Sequence, residues 1–139
     1  MAGPYRVSVN WKYKLSAMFE VSVTQSFAAA HALRHYKGKC ENLHGHNYRV
    51  EVTVAGETVD PLTGMLADFV EVKQALRDAI ERLDHTNLND TPPFDTLNPS
   101  AENIAFYLCE QIQGRLEKRA NVAQVKVWET DNCVAVYRP

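Results

Sequence analysis

The sequence predicts an α+β fold, an antiparallel sheet with two helices packed on one of its faces. Three observations carry that expectation. Apolar and polar residues alternate in the first third of the chain and again at its end, the period of a half-buried strand. Between these runs lie two stretches with apolar residues at helical spacing. Strands, then helices, then strands again is the order of a sheet with its helices segregated to one side. So small a sheet leaves two open edges, which self-association would cover.

The elements follow in order. Tyr5, Val7, Val9, Trp11 and Tyr13 alternate with polar residues and read as a strand, although Met18 is an alternative start and residues 1–17 read as an extension. Phe19, Val21, Val23, Phe27 and Ala29 share one face of the next strand. Gln25 is the exception, and His31 continues the parity. His46, Tyr48, Val50, Val52 and Val54 line one face of a third run. Gly56 and Asp60-Pro61 through Gly64 are turns. Asp68 is placed to cap a helix, with Glu71 three residues on. Phe69, Val72, Leu76, Ile80 and Leu83 form its inner stripe, and it should end near Asp84-His85. Three prolines make the stretch from Asn87 to Pro99 a loop. A second helix starts near Ser100, turns Ile104, Leu108, Ile112 and Leu116 inward, and ends at Asn121. Val125, Val127 and Glu129 then alternate inward, Asp131-Asn132 turns, and Cys133 to Tyr137 is the last strand.

Composition narrows the function. The chain has 139 residues, 45% hydrophobic and 23% charged, which suits one globular domain over residues 18–139. Fifteen basic against seventeen acidic side chains leave a net charge of −2, with no whole-protein field to attract nucleic acid, although a local basic patch stays open. No run approaches the ~20 apolar residues of a membrane helix, and no secretory signal pattern is present. Three cysteines far apart, with no C-x-x-C, argue against a disulfide framework and for a reducing cytoplasm.

Histidines carry the strongest chemical signal. Residues i and i+2 of a strand share a face, so His44 and His46 project together on the apolar parity. His31 ends the preceding strand on its own apolar parity. Three imidazoles from adjacent strands suit a zinc site with an open fourth position; the plainer reading is polar residues near strand ends. His35 falls outside the pattern and reads as a loop residue. Cys40 lies four residues before His44 in a polar segment, where a nearby cation would favour its thiolate as base, nucleophile or fourth ligand. Cys109 and Cys133 sit in apolar segments and read as inert small hydrophobes. Asp84 beside His85 would prepare a proton carrier, or simply end a helix. Glu129 on an apolar parity needs a partner, either a ligand with two N–H groups or a strand-end ion pair. Glu102, in the first turn of the second helix, is explained by the helix dipole alone.

Taken together, these motifs resemble the 6-pyruvoyl-tetrahydropterin synthase and 6-carboxy-5,6,7,8-tetrahydropterin synthase superfamily. The resemblance spans about Phe19 to Tyr137. It rests on Phe27-Ala28-Ala29-Ala30-His31, the run from Cys40 to Tyr48, Gly64 to Phe69, Leu83-Asp84-His85, Leu88-Asn89, Asn98 to Asn103, and Glu129-Thr130. It implies the tunnelling fold (T-fold), a β-β-α-α-β-β subunit. Three subunits would close a barrel and two trimers would stack into a homohexamer, with active sites at the subunit interfaces. It implies a zinc ion on His31, His44 and His46, with Cys40 as catalytic base and Asp84 and His85 as its relay. Glu129 would anchor the pterin, with Glu102 and Ser100 beside it.

The implied activity is a carbon–carbon lyase. It would convert 7,8-dihydroneopterin triphosphate to 6-carboxy-5,6,7,8-tetrahydropterin, acetaldehyde and triphosphate, as in queuosine and 7-deazapurine synthesis. The short Cys40 to His44 spacing looks like bacterial members; pyruvoyl-forming animal members have a longer insert. Glu41 beside Cys40 keeps a folate-branch hydroxymethyl product open, although a solvated loop carboxylate explains it too. A non-catalytic pterin- or zinc-binding module would share the histidines but would not need Cys40, Asp84 and His85.

Overall fold

The computed structural model describes residues 18–139. The alternating segment at residues 5–13 and the expected extension lie outside the described residues. Strands β1 (Phe19–His31) and β2 (His44–Gly56) pair antiparallel from Phe19 opposite Gly56 to His31 opposite His44. Helix α1 (Phe69–Glu81) follows, then the two-residue strand β3 (Thr86–Asn87), helix α2 (Ala101–Gln113), and strands β4 (Asn121–Thr130) and β5 (Cys133–Tyr137). The sheet order is β3-β1-β2-β4-β5. Every pairing is antiparallel except that of β3 with β1.

One face of this sheet makes the core. Val23, Phe27 and Ala29 of β1, Tyr48, Val50, Val52 and Val54 of β2, and Val122, Val125 and Val127 of β4 are all buried. Val72, Leu76 and Ile80 of α1 and Ile104, Leu108 and Ile112 of α2 pack with them. Burying each such side chain contributes about 1.5–3 kcal/mol, which drives both helices onto this face. Gln25, the polar exception in β1, donates to the Lys73 carbonyl of α1 at 2.9 Å. The opposite face is polar: the Arg49 guanidinium lies 3.9 Å over the Trp128 ring, and Lys126 pairs with Glu51 at 3.8 Å. At the end of β2 only glycine fits at position 56, because an added Cβ would stand 2.6 Å from the Arg119 carbonyl oxygen.

The Asp68 cap forms as the sequence implies, and Ser100, at the expected start of the second helix, caps it as well. Asp68 accepts from the Val70 N–H and Ser100 from the Asn103 N–H. Three details differ from the reading above. Phe69 is 55% exposed, because it is the first residue of α1 and precedes the buried stripe. α2 ends at Gln113, and Asn121 instead opens β4. Asn87, the first residue of the expected loop, instead joins Thr86 in β3, which pairs with the edge of β1 at Ala29 and Ala30.

Candidate active site

The β1–β2 register sets the site. His31 lies opposite His44, and Ala29 opposite His46, so three imidazoles gather at one end of the sheet on the core-facing side. Their ligand atoms lie within 4.8 Å of one another, the one such cluster among the described residues. His44 Nε2 is 3.1 Å from His31 Nε2 and 3.0 Å from His46 Nε2. His31 is buried; His44 and His46 are half-buried.

The rings are oriented from behind. His31 Nδ1 donates to the Pro99 carbonyl at 2.6 Å and His44 Nδ1 to the Asn42 carbonyl at 2.7 Å. A carbonyl only accepts, so each Nδ1 carries the proton and each Nε2 presents a lone pair. Burial lowers the pKa of His31 against the opposing pull of Pro99 and Glu129, and burial likewise lowers that of His46, so both rings favour the neutral form. Two bare lone pairs 3.1 Å apart repel unless a cation lies between them. Ligand nitrogens about 2.0–2.1 Å from a tetrahedral zinc stand roughly 3.3 Å apart; the two separations to His44 Nε2 are close to that and all three atoms lie within 4.8 Å, so the donor set suits that ion. Glu129 Oε1 stands 3.9 Å from His31 Nε2, beside the cluster and beyond hydrogen-bond length. Cys40 is not part of it.

Two cavities and one turn hold most of the remaining residues. Glu129, Glu102 and Ser100 line one cavity of about 250 Å³, together with Cys133. Cys133 is exposed there, not buried, because it opens β5 directly after the turn. Cys109 is buried, and burial raises its thiol pKa. His85 and His46 line a second cavity of about 520 Å³ with Ala28, Gly45 and Asn47. Cys40 sits in a 3-10 turn, Lys39–Glu41, half-buried, with its carbonyl accepting from the Leu33 N–H at 2.8 Å. It lines neither cavity and makes no side-chain hydrogen bond with Asp84 or His85 among the described residues. Glu41 is exposed.

Asp84 and His85 are clipped to the edge of β1. The Ala28 N–H donates to Asp84 Oδ1 at 2.9 Å, and the His85 N–H donates to the Ala28 carbonyl at 2.6 Å. His85 takes the left-handed conformation, φ 59°, and points its ring into solvent with Nδ1 2.9 Å from Asp84 Oδ1. This conformation is uncommon outside glycine although histidine adopts it more readily than most, as His35 also does with φ 60°, and the bonds to Ala28 hold it at His85. The Ala28 N–H, aided by His85, holds the Asp84 carboxyl below the usual carboxylate range.

Two features escaped the sequence reading. Tyr48 fits the apolar stripe, yet its buried hydroxyl has no partner among the described residues, and its ring sits 5.3 Å from that of His46. Its own identity as a tyrosine was the available signal, since a buried phenol normally finds a partner. The Pro99 carbonyl, a backbone group, left no signal at all.

Comparison with known proteins identifies the family. A human protein named 6-pyruvoyl tetrahydrobiopterin synthase is 41% identical over 133 residues, covering 86% of this chain and 90% of its own. An Archaeoglobus fulgidus protein named "Putative 6-carboxy-5,6,7,8-tetrahydropterin synthase" is 33% identical, covering 81% and 89%. The solved Caenorhabditis elegans 6-pyruvoyl tetrahydropterin synthase superposes with a TM-score of 0.80 at 31% identity, covering 88% of this chain and 96% of its own. The family model for 6-pyruvoyl tetrahydropterin synthase matches residues 20–139, and the chain belongs to that family.

Proposed function

We propose that this chain is a zinc-dependent pterin synthase acting on 7,8-dihydroneopterin triphosphate, and that with uptake of water it forms 6-carboxy-5,6,7,8-tetrahydropterin with release of acetaldehyde and triphosphate. The convergence of three Nε2 atoms, two of them fixed as lone-pair donors, is the observation that carries the zinc reading. Three protein ligands leave a fourth position for substrate, the arrangement of a catalytic ion. Bound there, zinc supplies Lewis-acid stabilisation to oxygens that develop charge on the substrate side chain.

The chain's own groups divide the remaining work. Cys40 is the base that takes a side-chain proton. His85 carries protons through Nε2, because Asp84 engages Nδ1 and fixes the tautomer. Glu129 accepts the amino-pyrimidine edge as a bidentate carboxylate. Glu102 and Ser100 border the same cavity; the Ser100 hydroxyl already accepts from the Asn103 N–H as helix cap. Within one chain Cys40 lines neither cavity described above and makes no side-chain hydrogen bond with Asp84 or His85 among the described residues. That arrangement supports a site completed across a subunit interface, in a homohexamer built as a dimer of trimers. No described helix is long and apolar enough to cross a membrane, and a cytoplasmic enzyme is the matching proposal.

The carboxy branch rests on the short connection between Cys40 and His44. A specific observation favours a second reading: the 41%-identical human relative carries the 6-pyruvoyl name, whereas the archaeal relative with the 6-carboxy name is 33% identical. Mass spectrometry of the products from 7,8-dihydroneopterin triphosphate separates them. 6-Carboxy-tetrahydropterin with acetaldehyde supports the proposal. A pyruvoyl product moves the chain to the second reading, and a hydroxymethyl product implicates Glu41. No product leaves a pterin- or zinc-binding module.

A further inference from the structure

Two asparagine amides grip the chain where it leaves β1. Asn89 Oδ1 accepts from the Ala32 N–H at 2.8 Å, and Asn89 Nδ2 donates to the Ala32 carbonyl at 2.9 Å. Asn98 repeats this at Arg34, accepting from its N–H at 2.9 Å and donating to its carbonyl at 3.1 Å. A side-chain amide used in both directions imitates a neighbouring strand. Arg34 returns the grip: its guanidinium donates to the Phe94 carbonyl at 2.8 Å and to those of Leu97 and Asn89 at 3.3 Å. The Asn98 carbonyl in turn receives Asn103 Nδ2 at 2.9 Å and the Ser100 N–H at 2.8 Å. The Asn98–Pro99 segment is thus held from both sides. Pro99 is buried, and its carbonyl is the partner of His31 Nδ1.

The other histidines lack such a device. His44 Nδ1 uses the Asn42 carbonyl, two residues away and exposed. Among the described residues, nothing fixes His46 Nδ1. Only His31 is oriented by a group distant in sequence, and that group is placed by Asn98.

We propose that Asn98 is a positioning residue for the metal site. It touches neither ion nor substrate. By locking Arg34 and the Pro99 carbonyl together, it holds the His31 ring with Nε2 aimed at the ion. The proposal rests on the zinc reading above. Hydrogen-bond partners of ligating histidines change metal affinity about 10–100-fold, and Asn98 acts one bond further out, so roughly a 10-fold loss is expected.

The test uses the full chain, with zinc affinity measured by chelator competition and the visible spectrum of the Co²⁺-loaded protein recorded beside it. The unmodified chain and His46→Ala are measured first. One ion per chain, lost in His46→Ala, secures the site itself; an unmodified chain that binds no ion overturns both the zinc reading and this proposal. Asn98→Ala then weakens zinc about 10-fold and alters the Co²⁺ spectrum. Asn98→Asp keeps the acceptor for the Arg34 N–H and recovers part of both. Gln113→Ala loses the bond to the Val122 N–H at the far end of α2, controls for lost stability, and leaves affinity and spectrum unchanged. Unchanged binding and spectrum in Asn98→Ala overturns the proposal, as does an equal loss in Gln113→Ala. If Asn98→Ala does not fold, Asn98→Asp decides: affinity equal to the unmodified chain overturns it.

Discussion

His31 Nε2 and His44 Nε2 stand 3.1 Å apart while the Nδ1 of each ring is spent on a backbone carbonyl. That relationship makes the folded chain a preformed holder for a cation, because two fixed lone pairs face each other. A ligand that binds only the folded state stabilises it by about 2.7 kcal/mol at a hundred times its Kd. Zinc should therefore raise the Tm of chelator-stripped protein. His44→Ala should abolish the rise, read by calorimetry with and without zinc. An equal rise in the variant would place the ion elsewhere.

Cys40 lies outside the histidine cluster, so removing its thiol should leave the metal in place. A positioned general base contributes typically ~10²–10⁴-fold. Cys40→Ala should keep one zinc per chain and lose turnover by that range. Loss of zinc in this variant would make Cys40 a fourth ligand and the site a structural one.

The pH dependence has a definite sign. Burial lowers the pKa of His31 and His46 below the ordinary 6.5. In metal-free protein, the unfolded chain takes up protons below about pH 6.5 that the folded chain refuses, so stability falls as pH falls. These groups contribute no slope well above that value, nor below the lowered folded values. Asp84, also lowered, has its window under the ordinary 3.8 and does not interfere. Urea midpoints of chelated protein on either side of pH 6.5 test this. A midpoint that rises toward acid contradicts it.

Glu129 shares a cavity with Glu102 and stands beside, not within, the ligand set. Glu129→Gln keeps the shape but loses charge-assisted acceptance, worth about 1.5–3 kcal/mol. KM should rise by roughly 10-fold or more while zinc content stays constant. Steady-state kinetics with metal analysis checks both; loss of zinc would recast Glu129 as a ligand.

Much of the site was legible because strand parity is a rigid rule. His44 and His46 share a face by their i, i+2 spacing, and His31 follows the parity of Phe27 and Ala29. What parity cannot supply is loop conformation. The Pro99 carbonyl behind His31 and the Asn89 and Asn98 amides that set it depend on contacts between segments more than fifty residues apart. β3 was hidden for the same reason, since two residues carry no period. Phe69 fitted the helical stripe but stands outside it, because a first-turn residue can fall beyond the packed surface. Cys133 has apolar neighbours in sequence, yet its place beside the turn exposes it.

The most direct measurement strips the chain of metal, titrates zinc back, and follows turnover of 7,8-dihydroneopterin triphosphate at each addition. The three-histidine account predicts no turnover without metal and a linear recovery that saturates at one zinc per chain. Turnover that survives stripping, or that recovers equally in His46→Ala, would contradict it.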